Sequence, residues 1–437
     1  MTYPVDVVSN LSQPAEDRSK NAMRRWVLVS TAVGSIIEWY DFYIYGTAAA
    51  LVFGRLFFPA SDPAVGTLAS LLTFAVGLLA RPVGSIIFGH FGDRLGRKSM
   101  LMLSLLLMGV PTVLIGLLPT YSSIGVWAPV CLVLLRIIQG FALGGEWGGA
   151  VLMAVEHAPT GKRGLFGSLP QLGVPGGVLL ALGAFALVSQ LPEADFLAYG
   201  WRLPFLASAV LVIFGIVMRW RIDESPEFEQ SRVSGKIVRL PFTVLVRDHW
   251  RQVLLAAGGK VGEVTLFFLV TVYLVSYAST SLSMPRSTVL NMVLAGAALA
   301  FALIPVAGAI SDRFGARRIY VLGCSALAAV AIPMFALIET GSPSLVAIAL
   351  IVPLGCIFPF IFGPQPALYS SQFPAELRYS GISLGVSLAS AVAGGFAPVI
   401  ATGIVASFGN ARMVGVYLAG VAVASALSAI GMAKAKR

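Results

Sequence analysis

Charge is what this sequence has least of. Asp, Glu, Lys and Arg make up 11% of its 437 residues, against about 25% in a soluble domain. A chain so poor in charge cannot cover a water-facing surface. Cysteine is almost absent: Cys131, Cys324 and Cys356 stand singly in apolar runs, which argues against a disulfide framework or a thiolate metal site. The three histidines, His90, His157 and His249, lie far apart and form no metal-type cluster. There is no Gly-x-x-x-x-Gly-Lys-Ser/Thr loop, so ATP drive is not expected. Residues 1–25 are polar, end in Arg24-Arg25 and lack the apolar core of a cleavable signal peptide. No nucleophile, base or metal set is clustered, so an enzyme is not expected.

What is present is apolar length. The chain is 57% hydrophobic, with a mean hydropathy of +0.86. Brief polar turns divide it into twelve predicted spans: 27–52, 64–89, 99–118, 126–150, 164–188, 200–220, 252–278, 288–310, 317–338, 344–370, 380–406 and 412–433. Each is long enough to cross a hydrocarbon core of about 30 Å as a helix. The expected class is an all-α membrane protein. Its net charge of +10 is an orientation signal rather than a nucleic-acid footprint. Both ends and the even-numbered loops hold 23 of the 30 Lys and Arg; the odd loops hold four, Arg55, Arg202, Arg286 and Arg412. That bias places both termini in the cytoplasm, with contact to anionic lipid.

One turn nearly repeats. Gly89-His90-Phe91-Gly92-Asp93-Arg94-Leu95-Gly96-Arg97-Lys98 returns 219 residues later as Gly308-Ala309-Ile310-Ser311-Asp312-Arg313-Phe314-Gly315-Ala316-Arg317. The shift is half the chain, as a duplicated unit leaves it.

Polar residues inside spans are costly and point to function. Glu38 and Asp41 lie three apart in the first span, beside Tyr40 and Tyr43, and share a helix face. Arg81 precedes Pro82 in the second span; it either faces a cavity or braces carbonyls freed by the proline. The fourth span carries Arg136 and Gln139 on one face, a small-residue stripe Gly140, Gly144, Gly148 suited to close packing, and Glu146, for which a structural role at the cytoplasmic end is expected. Arg136 is the natural partner of Asp41 or Glu38. Gln171 stands between Pro170 and Pro175 in the fifth span. In the seventh, Lys260 either pairs with Glu263 at i,i+3 or is available to a carboxylate ligand. The tenth is broken by Pro353, Pro359, Pro364 and Pro366 and carries Gln365; discontinuous helices often line transport sites.

With these residues in view, the chain resembles a major facilitator superfamily member of the metabolite:proton symporter branch, most similar to shikimate and α-ketoglutarate type permeases. The motifs are Glu38-Trp39-Tyr40-Asp41-Phe42, Gly89–Lys98, Arg136–Gly149, Glu224-Ser225-Pro226-Glu227-Phe228-Glu229 and Arg378-Tyr379-Ser380-Gly381. The resemblance implies two pseudo-symmetric six-helix bundles, 27–221 and 252–433, joined by a cytoplasmic loop at 222–251, with cytoplasmic ends at 1–26 and 434–437. It implies a cytoplasmic latch of Asp93, Arg94, Arg97 and Lys98, with Asp312, Arg313 and Arg317 as its counterpart, weaker because Ala316 replaces Arg97. Glu146 is grouped with these gating residues. It implies that Asp41, against Arg136 and with Glu38 nearby, takes the coupling proton, and that protonation frees Arg136 for an anionic substrate. The substrate site is expected to draw on Arg136, Lys260, Tyr40, Tyr43, Gln139, Gln171, Glu263 and Gln365.

The expected function is proton-coupled import of a small organic acid, a mono- or dicarboxylate, by alternating access in the inner membrane. The protein is expected to act as a monomer, with no cofactor, metal or nucleic acid. Two other readings stay open: a transporter of zwitterions such as proline or betaine, and a non-transporting sensor. The end of the chain at Arg437, just after the last span, counts against the proline/betaine subgroup, whose members usually carry a long cytoplasmic coiled-coil tail.

Overall fold

A computed structural model describes residues 6–59, 63–234 and 241–432; the expected cytoplasmic end at 434–437 lies outside them. The described residues contain helices and no strand. Twelve long helices follow the predicted spans: α1 (Asp6–Ala48), α2 (Pro63–Leu95), α3 (Arg97–Leu117), α4 (Trp127–Glu156), α5 (Arg163–Val188), α6 (Gly200–Trp220), α7 (Trp250–Thr280), α8 (Arg286–Phe314), α9 (Ala316–Glu339), α10 (Pro343–Ser370), α11 (Ala375–Phe408) and α12 (Arg412–Gly431). Ten of them, α3 to α12, each hold a stretch long and apolar enough to cross a membrane, among the described residues. The first helix begins at Asp6, well before the predicted span. Hydropathy marks where a helix enters lipid, whereas backbone hydrogen bonding continues through polar sequence. The loop expected at 222–251 likewise contains two short helices, Pro226–Val233 and Pro241–Asp248, with 235–240 outside the described residues.

α1 to α6 pack mainly on one another, as do α7 to α12, and the halves meet chiefly through α2 against α11 and α5 against α8. The glycine stripe of α4 explains the tightest contact within the first half. A Cβ on Gly140 would lie 1.9 Å from the Gly77 carbonyl oxygen, and one on Gly144 2.3 Å from that of Arg81. Only residues without a side chain let α2 and α4 come this close. The duplicated turn recurs in the backbone: α2 breaks to α3 at Gly96 (φ 107°) and α8 to α9 at Gly315 (φ 95°), a region that favours glycine.

Large apolar side chains such as Val210, Ile213, Leu322, Leu79 and Val399 stand exposed around the outside, where lipid is their solvent. Polar groups turn inward instead, among them Glu38, Asp41, Arg136, Gln139 and Glu146 at 1% exposure or less. The predicted interruptions are present. α5 passes through a 3-10 turn at Pro170–Leu172, and α10 through a π segment at Val352–Ile357. Further π segments interrupt α7 at Leu269–Tyr273 and α11 at Ser390–Gly394, and Ser390 lines the central cavity. Such bulges are frequent at functional sites.

Candidate functional site

The two halves enclose a small cavity lined by Trp39, Arg81, Trp147, Val174, Lys260, Glu263, Val264, Phe267, Phe268, Phe362, Val386 and Ser390. Its free space is about 40 Å3, room for a few water molecules and too little for an organic acid. The site is therefore closed. On the α7 side Lys260 Nζ lies 2.6 Å from Glu263 Oε2, so the i,i+3 pair does form. Gln365 of α10 completes it, accepting from Lys260 Nζ at 3.0 Å and donating to Glu263 at 3.3 Å. The ammonium also lies over the rings of Phe362 (4.5 Å) and Trp147 (5.1 Å). From the other half, Trp147 Nε1 donates to Gln171 Oε1 at 2.6 Å, and Gln171 Nε2 to the Phe362 carbonyl at 2.8 Å. The bent entry of α5 thus hands its amide to the opposite bundle. Tyr43 stacks on Trp39 and lies 6.4 Å from Phe267.

The structure does not bring Arg136, Gln139, Asp41 or Tyr40 to this cavity. They lie inside the first bundle, on the far side of α1. Arg136 is held over Phe42 and Tyr45 at 4.6 and 4.4 Å and donates to Gln139 Oε1 at 3.2 Å. Gln139 Nε2 donates to Thr112 Oγ1 at 2.8 Å. Thr112 stands beside Asp41, whose Oδ1 accepts from Ser208 Oγ at 2.6 Å. The expected direct contact of Asp41 with Arg136 is replaced by this amide and hydroxyl chain. Tyr40 turns away to donate to the Pro204 carbonyl at 2.8 Å. Glu38 has another partner, Arg219 Nη1 at 2.8 Å. Arg219 is 1% exposed, although from sequence it counts among the cytoplasmic basic residues; its place at the end of an apolar run hid it. Glu146 accepts from Ser35 Oγ at 2.7 Å in the same neighbourhood.

Of the residues expected to form the latch, Asp93 and Asp312 do reach the opposite bundle, with partners different from the cations expected. Asp93 accepts from the backbone N–H groups of Tyr379 (3.2 Å) and Ser380 (3.0 Å), which open a helical turn of α11 in the opposite bundle. Asp312 does the same for α5, accepting from the N–H groups of Gly164 (2.6 Å) and Leu165 (2.9 Å). Each carboxylate satisfies amides that a helix start leaves unpaired and complements its dipole. Among the basic residues Arg97 alone is buried. It lies 3.6 Å from Glu156, donates to the Ala375 carbonyl and sits over Phe228. Arg94 meets His90, Lys98 the Trp220 carbonyl, Arg313 the Phe314 ring and Arg317 the Met432 carbonyl, none of them across the interface. Asp312 is half-buried where Asp93 is buried, and Ala316 leaves it no counterpart of Arg97.

Sequence reasoning missed further ion pairs beside these contacts. Arg378 bridges Glu156 (3.0 Å) and Glu227, and Arg163 reaches Glu227 at 2.8 Å. Glu224 accepts from the Arg97 and Lys98 N–H groups at the start of α3. Through Glu227 the acidic motif of the connecting segment thus bridges both bundles. Its proximity to the latch is tertiary, and no spacing encodes it.

The sequence profile of the Major Facilitator Superfamily matches residues 31–398. The inner membrane metabolite transport protein YhjE of Escherichia coli is 44% identical, over 91% of this chain and 92% of its own length. The shikimate transporter of Escherichia coli is 40% identical over 98% of both, and its proline/betaine transporter 33% identical over 93% of this chain and 83% of that one. Among solved structures, a proton:xylose symporter bound to 6-bromo-6-deoxy-D-glucose superposes with a TM-score of 0.74 at 15% identity, covering 93% of this chain and 95% of that one. The Escherichia coli fucose:proton symporter gives 0.67 at 15% identity, over 94% and 99%.

Proposed function

The chain belongs to the major facilitator superfamily and is a multi-pass secondary transporter, not an enzyme; on that premise we propose that it carries a small organic acid into the cell together with protons. The observation that carries this reading is the charge of the central cavity, where Arg81 and Lys260 face one acid, Glu263. An apolar, aromatic-walled chamber with an excess cation favours an anion. The name of the shikimate relative agrees. Lys260, Glu263, Gln365, Gln171 and Tyr43 form or back the substrate-facing wall. Arg136 and Gln139 serve the coupling cluster behind it.

Asp41 is the coupling site in this proposal. Its Oδ2 is buried with no hydrogen-bond partner, Ser208 of α6 donates to Oδ1, and Thr112, Gln139 and Arg136 stand in a chain beside it on α3 and α4. The protein works as a monomer in the inner membrane, with both termini in the cytoplasm and the latch closing the inner side. Proteoliposome uptake under an imposed inward pH gradient, run beside substrate counterflow without one, tests the reading. In Asp41→Asn the amide stands for a permanently protonated acid, so counterflow persists while gradient-driven accumulation is lost. Full accumulation by Asp41→Asn removes it as the coupling site. Glu38→Gln reproducing the loss instead moves the proton to Glu38.

A further inference from the structure

We propose that Arg81 is the receptor for a single substrate carboxylate, and that the cavity is built for a hydroxylated monocarboxylate rather than a dicarboxylate or a quaternary ammonium zwitterion. This rests on the transport of organic acids proposed above.

The first observation is an incomplete cation. Arg81 is 5% exposed and lines the cavity. Its Nε is buried with no hydrogen-bond partner, and no hydrogen bond or ion pair engages its guanidinium among the described residues. It does not brace the carbonyls before Pro82, since it donates to none of them. Arg97, Arg219 and Lys260 each have an acid, Glu156, Glu38 and Glu263, and Arg136 has the Gln139 amide. A guanidinium left incomplete inside a membrane protein is costly, and a planar carboxylate matches its fork.

The second observation is that Lys260 is already committed. A second carboxylate would compete with Glu263 at 2.6 Å and leave that acid buried without its cation. With Lys260 and Glu263 cancelling, the cavity keeps the single positive charge of Arg81, which suits a monoanion. The ammonium of Lys260 also covers the faces of Trp147 and Phe362, two of the aromatic surfaces a quaternary ammonium would need. The polar groups that remain on the cavity wall are the Glu263 carboxylate, with lone pairs beyond those Lys260 takes, and the Ser390 hydroxyl on the π segment of α11. Those are partners for hydroxyl groups.

Trp39 and Trp147 line the cavity, so tryptophan fluorescence of the purified full-length protein reads binding. The probes are shikimate, its methyl ester, α-ketoglutarate and glycine betaine at one pH. Wild type binds shikimate most tightly. Arg81→Gln weakens shikimate by about 30-fold or more, the loss expected when one partner of a buried charge pair is removed, and leaves the ester unchanged. Arg81→Lys falls between, because an ammonium keeps the charge and loses the fork. Equal shikimate binding by wild type and Arg81→Gln overturns the assignment of Arg81 while organic-acid transport stands. α-Ketoglutarate or betaine binding wild type as tightly as shikimate overturns the substrate class. Wild type that binds betaine and neither acid overturns the organic-acid reading itself, and this proposal with it.

Discussion

Replacing Asp93 by Asn isolates the latch. The carboxylate accepts two amide bonds, 3.2 and 3.0 Å, across the bundle interface. Asparagine keeps one acceptor and turns an amine toward the other N–H. The loss is one charge-assisted hydrogen bond, about 1.5–3 kcal/mol, plus the favourable placement of an anion at a helix start, about 0.3–1 kcal/mol. Together these shift the balance between open and closed cytoplasmic faces by roughly 2–4 kcal/mol, a factor of about 30 to 1,000. Ser383, 2% exposed beside Gly148, reports the opening. With Cys131, Cys324 and Cys356 replaced, Ser383→Cys in inside-out vesicles should react with an impermeant maleimide at least about 30-fold faster in Asp93→Asn, the lower end of that range. Uptake should fall while the protein remains in the membrane. Asp312→Asn should give the same sign and a smaller change, since solvent screens the half-buried carboxylate. Unchanged labelling together with unchanged uptake would reduce the hairpin to a turn and refute the reasoning.

Other expectations are independent of the latch. Single cysteines at 55–59 or 190–198 should react with an impermeant reagent from outside intact cells, and those at 93–98 or 225–234 should not; the reverse pattern inverts the orientation. Gly144→Val puts a Cβ 2.3 Å from the Arg81 carbonyl oxygen, so α2 and α4 must part at a cost of about 1–3 kcal/mol or more; a wild-type melting temperature would mean the contact yields freely. Arg219→Met leaves Glu38 buried and unpaired, a loss of about 3–5 kcal/mol. Adding Glu38→Gln should recover much of it, and a double variant no more stable than Arg219→Met would mean that Glu38 is not the cost.

The parts legible in the sequence were those written in local pattern. The duplicated turn fixed two hairpins, and their glycines at Gly96 and Gly315 do adopt positive φ. The stripe Gly140, Gly144, Gly148 announced a close helix contact, and the prolines of α10 a broken helix. What escaped was written in partners. The amides that Asp93 and Asp312 accept from belong to the backbone, which no residue type advertises, so cationic side chains were expected in their place. Arg219, at the end of the sixth predicted span, counts with the cytoplasmic basic residues because burial is a tertiary property. Asp41 and Arg136 are matched in charge, yet Thr112 and Gln139 intervene, and spacing along two separate helices carries no distance between them.

α1 gives the arrangement its mechanical sense. Successive residues of an α-helix turn by about 100°, so Trp39 and Tyr43 share one face while Asp41 lies about 200° around from Trp39. The structure uses both sides. Trp39 lines the cavity and stacks on Tyr43, and Asp41 reaches Ser208 and the Arg136 chain within the bundle. Glu38, one residue before Trp39, takes a third direction to Arg219. A ligand that presses on Trp39 therefore acts on the same rigid element that sets the depth and partners of Asp41. In the symport reading no side-chain relay from substrate to proton is needed. A small rotation of α1 repositions the cavity wall and the coupling carboxyl together, and binding at one then alters the affinity of the other by the same free energy.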